Sequence, residues 1–364
     1  MKIVADSHIP YLKGVFEPFF DVEYLPGHLI GKDSVKDADV LITRTRTICN
    51  AHLLDDSKVK LIASATIGYD HIDTQYCNAH GISWHTAPGC NAAAVQQWVG
   101  SALVKWVRSK NLNPHSLTLG IVGVGNVGSK VLELGYALGM KVVCCDPPRA
   151  ESENLSTFAD LNELLKVSDI ITFHVPFTKS GKYPTFHMLN GQNLALCKPT
   201  AYILNSSRGG VIDETALIHF LKQNPNADVA IDVWENEPKL NMELASRSLV
   251  ATPHIAGYSL EGKVMATKMV IETISQHFNL GLEPWWPMPN PLAELQVIDS
   301  ADNLSDAIVK SYQVEIDDIR NINLSFEDYR NTYSYRRDFT GFRVLKTNAD
   351  TPKLIKLGFK VDNF

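Results

Sequence analysis

The stretch Leu119-Gly120-Ile121-Val122-Gly123-Val124-Gly125-Asn126-Val127-Gly128 runs an apolar strand straight into a G-x-G-x-x-G turn, and a helical pattern, Ser129–Leu138, follows it. Each glycine has a physical role. Gly123 permits the tight turn, Gly125 lets the backbone approach a pyrophosphate, and Gly128 lets the helix pack close to the strand. The helix N-terminus then offers free N–H groups and partial positive charge to phosphates. Glycines also gather in ordinary turns, so context matters. The next strand-like run, Lys141–Asp146, ends in an acid 18 positions after Gly128. That spacing suits a carboxylate bonded to the adenine-side ribose hydroxyls. An acid there also repels a 2′-phosphate, so Asp146 favours NAD over NADP.

Outward from this unit, short apolar runs alternate with helical patterns. Strand-like runs are Lys2–Asp6, Val40–Thr43, Leu61–Ala65, Ile170–Val175, Ala201–Asn205, Val229–Val233 and Leu249–Thr252. Helix-like segments include Ala92–Arg108, Asp160–Val167 and Glu214–Gln223. Such alternation with Val/Ile-rich strands predicts an α/β fold of doubly wound parallel sheets covered on both faces. The Pro-rich stretch Glu283–Pro291 can be neither helix nor central strand and reads as a linker. Beyond it, Ile308–Ile319 reads as a helix and Phe342–Lys346 as a strand of a small α+β module.

Bulk properties narrow the function classes. The chain has 364 residues, enough for two or three domains. Its formal net charge of -6 offers no broad basic face for nucleic acid. The six cysteines show no CxxC and no zinc spacing, so no metal is expected. They read as reduced core residues in a reducing cytoplasm. No run approaches the roughly 18 apolar residues of a membrane helix, and a charge soon ends the apolar start Met1–Asp6, which is unlike a signal peptide.

Three residues follow successive strand-like runs, where open α/β sheets bind ligands. Arg208 lies in Asn205-Ser206-Ser207-Arg208-Gly209-Gly210, Glu237 in Asp232-Val233-Trp234-Glu235-Asn236-Glu237-Pro238, and His254 in Thr252-Pro253-His254-Ile255-Ala256-Gly257. Singly they read as a surface cation, a solvated acid and a turn histidine. Together, downstream of a dinucleotide motif, they fit oxidation of a secondary alcohol. Histidine suits the base that takes the hydroxyl proton. Glu237 would orient its ring and favour the imidazolium. A planar two-pronged guanidinium at Arg208 suits a substrate carboxylate. Ala65-Thr66-Ile67-Gly68 is a candidate loop for the carboxylate's other oxygen.

These motifs make the chain resemble the D-isomer-specific 2-hydroxyacid dehydrogenases. The resemblance implies two Rossmann-like domains: a split substrate domain, 1–93 with 257–285, and an inserted NAD domain, 94–256. It implies a site in the cleft that closes to exclude water. It assigns Arg208, Glu237 and His254 to catalysis, and Asn126, Val127, Asp146, Ser206, Ser207, Arg208, Asp232 and Gly257 to NAD. It assigns Thr66 and Tyr258 to substrate, along with Thr45, where the family often has Ser. A narrower resemblance to one branch rests on Ala87–Ala92, Asp146-Pro147-Pro148-Arg149, His254–Lys263 and the extra C-terminal segment. It implies a phosphorylated hydroxy acid as substrate, and a homodimer joined through a C-terminal module, 286–364.

A phosphate needs cations or a nest of N–H groups. Thr43-Arg44-Thr45-Arg46-Thr47 follows a strand, and Arg44 is the candidate. Arg336, Arg337 and Arg343 are further cations available to a neighbouring subunit's site. Three other readings stay open: another D-2-hydroxy acid, such as phosphoglycerate or glycerate, an NAD-sensing corepressor that binds protein partners, and a purely structural NAD-binding subunit without activity.

Overall fold

The alternation of strands and helices resolves into three parallel sheets in a computed structural model that describes residues 1–154 and 157–362. Leu155 and Ser156 of the expected NAD domain, and Asn363 and Phe364 of the expected C-terminal module, lie outside the described residues. The chain divides into two compact units, Met1–Asn91 with Leu260–Glu294, and Ala92–Ser259 with Leu295–Phe364.

The first unit holds β1 (Lys2–Asp6), β2 (Asp21–Leu25), β3 (Val40–Thr43), β4 (Leu61–Ser64) and β5 (Ser83–His85), ordered β2-β1-β3-β4-β5 and all parallel. The inner strands are apolar and buried, as sheets covered on both faces require. On one face Ile3, Ile42 and Leu61 pack on Val270, Ile271 and Ile274 of the returning helix Leu260–Phe278. On the other, Val4, Leu41 and Ile62 pack on Val35, Leu53 and Cys77. The edge strands β2 and β5 escaped the sequence reading because exposed polar residues interrupt their apolar pattern. Glu283–Pro291 contains no helix or strand, yet it is docked: Trp285 packs on this core and its amide donates to Glu272.

The second unit holds β6 (Thr118–Val122), β7 (Lys141–Cys145), β8 (Ile170–Phe173), β9 (Tyr202–Asn205), β10 (Asp228–Ile231) and β11 (Val250–Ala251), ordered β11-β10-β9-β8-β6-β7. The order reverses between β6 and β8, and ligands bind at such a switch point in open parallel sheets. A third, smaller parallel sheet, β12 (Gln296–Ala301), β13 (Phe342–Thr347) and β14 (Lys360–Val361), belongs to the C-terminal segment. Its Ile298, Phe342 and Val344, with Leu354 of the helix Thr351–Leu357, share one apolar cluster with Trp98, Leu103, Val131 and Leu134. The helix expected over 308–319 runs instead from Leu304 to Ser311. Asn303 caps its start, and extended Tyr312 ends it so that the Tyr312 hydroxyl donates to Asp317 at 2.7 Å. Among the described residues no helix is long and apolar enough to cross a membrane, and none of the His, Cys, Asp and Glu groupings suits a metal ion.

Candidate active site

The glycine turn has the shape its sequence requires. Gly123 sits at φ +86°, and a Cβ there would meet the His174 carbonyl oxygen at 2.7 Å. A Cβ on Gly128 would lie 2.0 Å from the Gly123 carbonyl oxygen, whereas one on Gly125 would meet nothing within 4 Å. Gly125 therefore presents open backbone at the N-terminus of the helix Asn126–Ala137, where a pyrophosphate gains most from N–H groups and dipole. Asp146 follows β7; its carboxylate accepts from the Val124 amide at 2.7 Å and the Arg149 amide at 3.1 Å. Just past β9, the Ser206 hydroxyl is buried without a partner. An open glycine cradle, an acid at the end of the second strand and an orphaned hydroxyl together fit a dinucleotide.

His174 leaves β8 beside this turn. Burial pushes its imidazole down to about 3, and its Nε2 lies 3.0 Å from the Thr172 hydroxyl. The unfolded chain binds a proton near the ordinary value of 6.5, so the folded state must lose stability as pH falls below 6.5, until about 3. His174→Asn should remove about one proton from that slope, flattening it by roughly 1.4 kcal/mol per pH unit. Urea midpoints measured from pH 7 to 4 check this; parallel curves for wild type and variant would contradict it.

Arg208, Glu237 and His254 leave the C-terminal ends of β9, β10 and β11, which are hydrogen-bonded neighbours. The loops touch, because a Cβ on Gly209 would lie 2.0 Å from the Trp234 carbonyl oxygen. His254 Nδ1 is 2.8 Å from Glu237 Oε2, and Glu237 Oε1 accepts from the Trp234 amide at 2.9 Å. Burial pushes the Glu237 carboxyl up, but the His254 charge and hydrogen bond, the Trp234 amide and the Arg330 charge outweigh it, leaving it below its ordinary value. With Nδ1 engaged, Nε2 is the nitrogen left to exchange a proton with a ligand. His254 side chain is 31% exposed, so a ligand can reach it.

His254 takes φ +57°, a left-handed conformation rare outside glycine. The strain is held in place from Asp232. The His254 amide donates to the Asp232 carbonyl at 2.7 Å, and the Ile255 and Ala256 amides donate to its carboxylate at 2.8 and 3.0 Å. The Thr252 hydroxyl adds a fourth bond at 2.6 Å. Burial raises the Asp232 carboxyl, a rise that His254, Thr252 and the two amides oppose. The Glu237 loop is tied at its other side, where the Glu235 amide donates to buried Glu214 at 2.7 Å. Arg208 is half-buried; its Nη1 donates to the Ser207 carbonyl, and its own carbonyl accepts from Asn205.

The remaining expected residues divide between the units. In the first, the Thr66 hydroxyl is 2.8 Å from the Ser64 hydroxyl, and Thr45 is exposed. Arg44 is engaged by buried Asp6 through Nε at 2.8 Å and Nη2 at 3.4 Å. In the second, Gly257 and Tyr258 lie in the turn closed by the bond from the Tyr258 amide to the Ile255 carbonyl at 2.8 Å. Arg336, considered for a neighbouring subunit, is spent inside its own chain. It donates to the carbonyls of Ile255, Ala256 and Tyr258 at 3.0, 2.6 and 3.0 Å, and to Ala94 and Gln97. Arg343 pairs with Asp362 at 3.7 Å. The roles of Arg330, Arg336 and Asp317 escaped the sequence reading; the only signal was an unusual density of Tyr and Arg over 329–337.

The sequence pattern described as "D-isomer specific 2-hydroxyacid dehydrogenase, NAD binding domain" matches residues 90–256. Together with the relatives below, this places the chain among the D-isomer-specific 2-hydroxyacid dehydrogenases. Erythronate-4-phosphate dehydrogenase of Bacteroides thetaiotaomicron is 43% identical over 95% of this chain and 99% of that protein. The enzyme of that name from Bacteroides fragilis is 41% identical over 95% of this chain and 100% of its own length. The chain thus belongs to the erythronate-4-phosphate dehydrogenase family and is an NAD-dependent dehydrogenase. The NAD-bound 3-phosphoglycerate dehydrogenase of Entamoeba histolytica is similar in structure, with TM-score 0.66 and 26% identity, covering 77% of this chain and 96% of that one.

Proposed function

We propose that the chain oxidises 4-phospho-D-erythronate to (R)-3-hydroxy-2-oxo-4-phosphooxybutanoate in vitamin B6 biosynthesis. The observation that carries this is the His254–Glu237 pair at 2.8 Å, beside the Arg208 loop and on the sheet that bears the dinucleotide turn. The naming of near-full-length relatives supports the substrate. NAD, when bound, supplies the acceptor for the hydrogen and electron pair leaving C2. Gly123, Gly125, Asn126, Val127, Gly128, Asp146, Ser206, Ser207, Arg208, Asp232 and Gly257 are the residues proposed to hold it.

His254 Nε2 takes the proton of the C2 hydroxyl. As the ring becomes cationic, Glu237 stabilises it through Nδ1, which is why a carboxylate held ionised is needed behind it. The Arg208 guanidinium holds the substrate carboxylate and polarises the C2 oxygen. Thr66, Tyr258, Thr45 and Arg44 are the further proposed substrate contacts. We place the enzyme in the cytoplasm as a homodimer joined by its C-terminal segment. The domains are proposed as 1–93 with 257–285, 94–256 and 286–364.

Purified protein supplied with 4-phospho-D-erythronate, NAD and a 2-oxo-acid acceptor should form the 2-oxo product. A panel including 3-phosphoglycerate and glycerate would expose another substrate, and no turnover with any hydroxy acid would sink the enzymatic reading in favour of a binding role. Asp146→Ala should weaken NAD binding by about 1–3 kcal/mol for the lost charged acceptor and narrow the preference over NADP. Kd values for both cofactors measure it, and an unmoved preference removes Asp146 from the ribose.

A further inference from the structure

Arg330 lies on the helix Phe326–Thr332 of the C-terminal segment and is assigned no step of the reaction above. Its side chain is 15% exposed, so most of its guanidinium has left water. It lies over the rings of Tyr258 and Phe326, at 5.8 and 5.2 Å from their centres. A guanidinium has five N–H donors. Among the described residues one is spent in a hydrogen bond, from Nη2 to the Tyr258 hydroxyl at 3.3 Å. Nε is buried with no partner. Glu327 approaches Nη1 at 3.7 Å, an ion pair without a hydrogen bond.

Two of the arginines described above differ. Arg336 gives its donors to three carbonyls of the 255–258 turn, to Ala94 and to Gln97. Arg44 spends Nε and Nη2 on Asp6, whose carboxylate offsets its charge. A largely desolvated cation with unspent donors is costly unless an anion completes it. Arg330 also stands where an anion would be useful. Its charge reaches the catalytic Glu237 and helps hold that carboxyl down. Its one hydrogen-bond partner, Tyr258, is four residues past the base His254. Arg208 already serves the substrate carboxylate, so a second guanidinium matches a second anionic group.

We propose that Arg330 recognises the phosphate of the substrate, which makes the C-terminal segment a specificity element of its own chain's active site. The proposal rests on the phosphorylated substrate argued above. Planar N–H pairs of a guanidinium match two phosphate oxygens, and the Tyr258 hydroxyl keeps the fork from turning away.

The test compares 4-phospho-D-erythronate with unphosphorylated D-erythronate in wild type, Arg330→Met and Arg330→Lys. For the phosphorylated substrate, Arg330→Met should raise KM by at least about 10-fold, the loss of one charged hydrogen-bonding partner. The KM for D-erythronate should barely move, and Arg330→Lys should fall between. Equal losses on both substrates, or no loss on either, overturn the proposal. Should Arg330→Met fail to fold by circular dichroism, Arg330→Lys decides by the same split. If wild type does not oxidise 4-phospho-D-erythronate, the substrate reading fails separately. Arg330 is then judged by inorganic phosphate, which should raise the Tm of the NAD-loaded wild type above its value in chloride of equal ionic strength, and raise that of Arg330→Lys by less. No rise in wild type, or the same rise in both, overturns Arg330 as an anion site.

Discussion

Replacing His254 with asparagine should lower kcat by roughly 10²- to 10⁴-fold, the range for removing a positioned general base, with little change in NAD affinity. Asparagine is chosen for the backbone. Position 254 sits at φ +57°, and asparagine tolerates the left-handed region better than alanine or leucine does. The variant therefore keeps the amide bonds to Asp232 and loses only the titrating ring. Fluorescence titration of NAD checks that the cofactor site is intact. An unchanged kcat would mean that the base lies elsewhere and that the 2.8 Å pair with Glu237 is merely structural.

That such a test can be designed at all reflects how parallel sheets distribute information. A strand buried on both faces must be a run of apolar residues, so β3, β4, β8 and β9 are legible from sequence alone. Parallel strands expose all their C-terminal ends on one edge. Polar residues that closely follow three such runs, Arg208, Glu237 and His254, are thereby gathered without any long-range argument. Glycine roles are legible for a similar reason, since Gly123 and Gly128 are fixed by contacts within one turn. What could not be read are contacts with no local period. Edge strands β2 and β12 carry polar residues on their open sides and lose the apolar pattern. The pairing of Arg44 with Asp6 joins the ends of two strands that neither run advertises. The use of Arg336 on residues 255–258 spans about 80 positions of chain.

Arg336→Met should destabilise the protein by roughly 2–4 kcal/mol and disable catalysis together, because the same guanidinium satisfies the turn that follows His254. Apart from the Tyr333 hydroxyl, its five acceptors include the carbonyls of Ile255, Ala256 and Tyr258. The remaining two, the Ala94 carbonyl and Gln97, belong to the helix Ala92–Ser109. The cation is stacked 4.3 Å from the centre of the Tyr312 ring, and Tyr312, Tyr329 and Tyr333 all donate to Asp317. The tyrosines thus relay the negative charge of Asp317 toward the guanidinium without a direct ion pair. Methionine fills similar volume but strips those carbonyls of the guanidinium; Ile255 keeps the Tyr258 amide, and each acceptor left without a donor costs about 1–3 kcal/mol before relaxation. Relaxation means movement of the 255–258 turn, which carries the proposed NAD contact Gly257. NAD affinity should therefore fall in Arg336→Met although residue 336 is no proposed NAD contact, a coupling that simple loss of folded protein does not produce. Denaturant midpoints and NAD Kd values measured on the folded fraction separate the two. A stable variant with unchanged NAD affinity would show that the turn holds its shape through Asp232 alone.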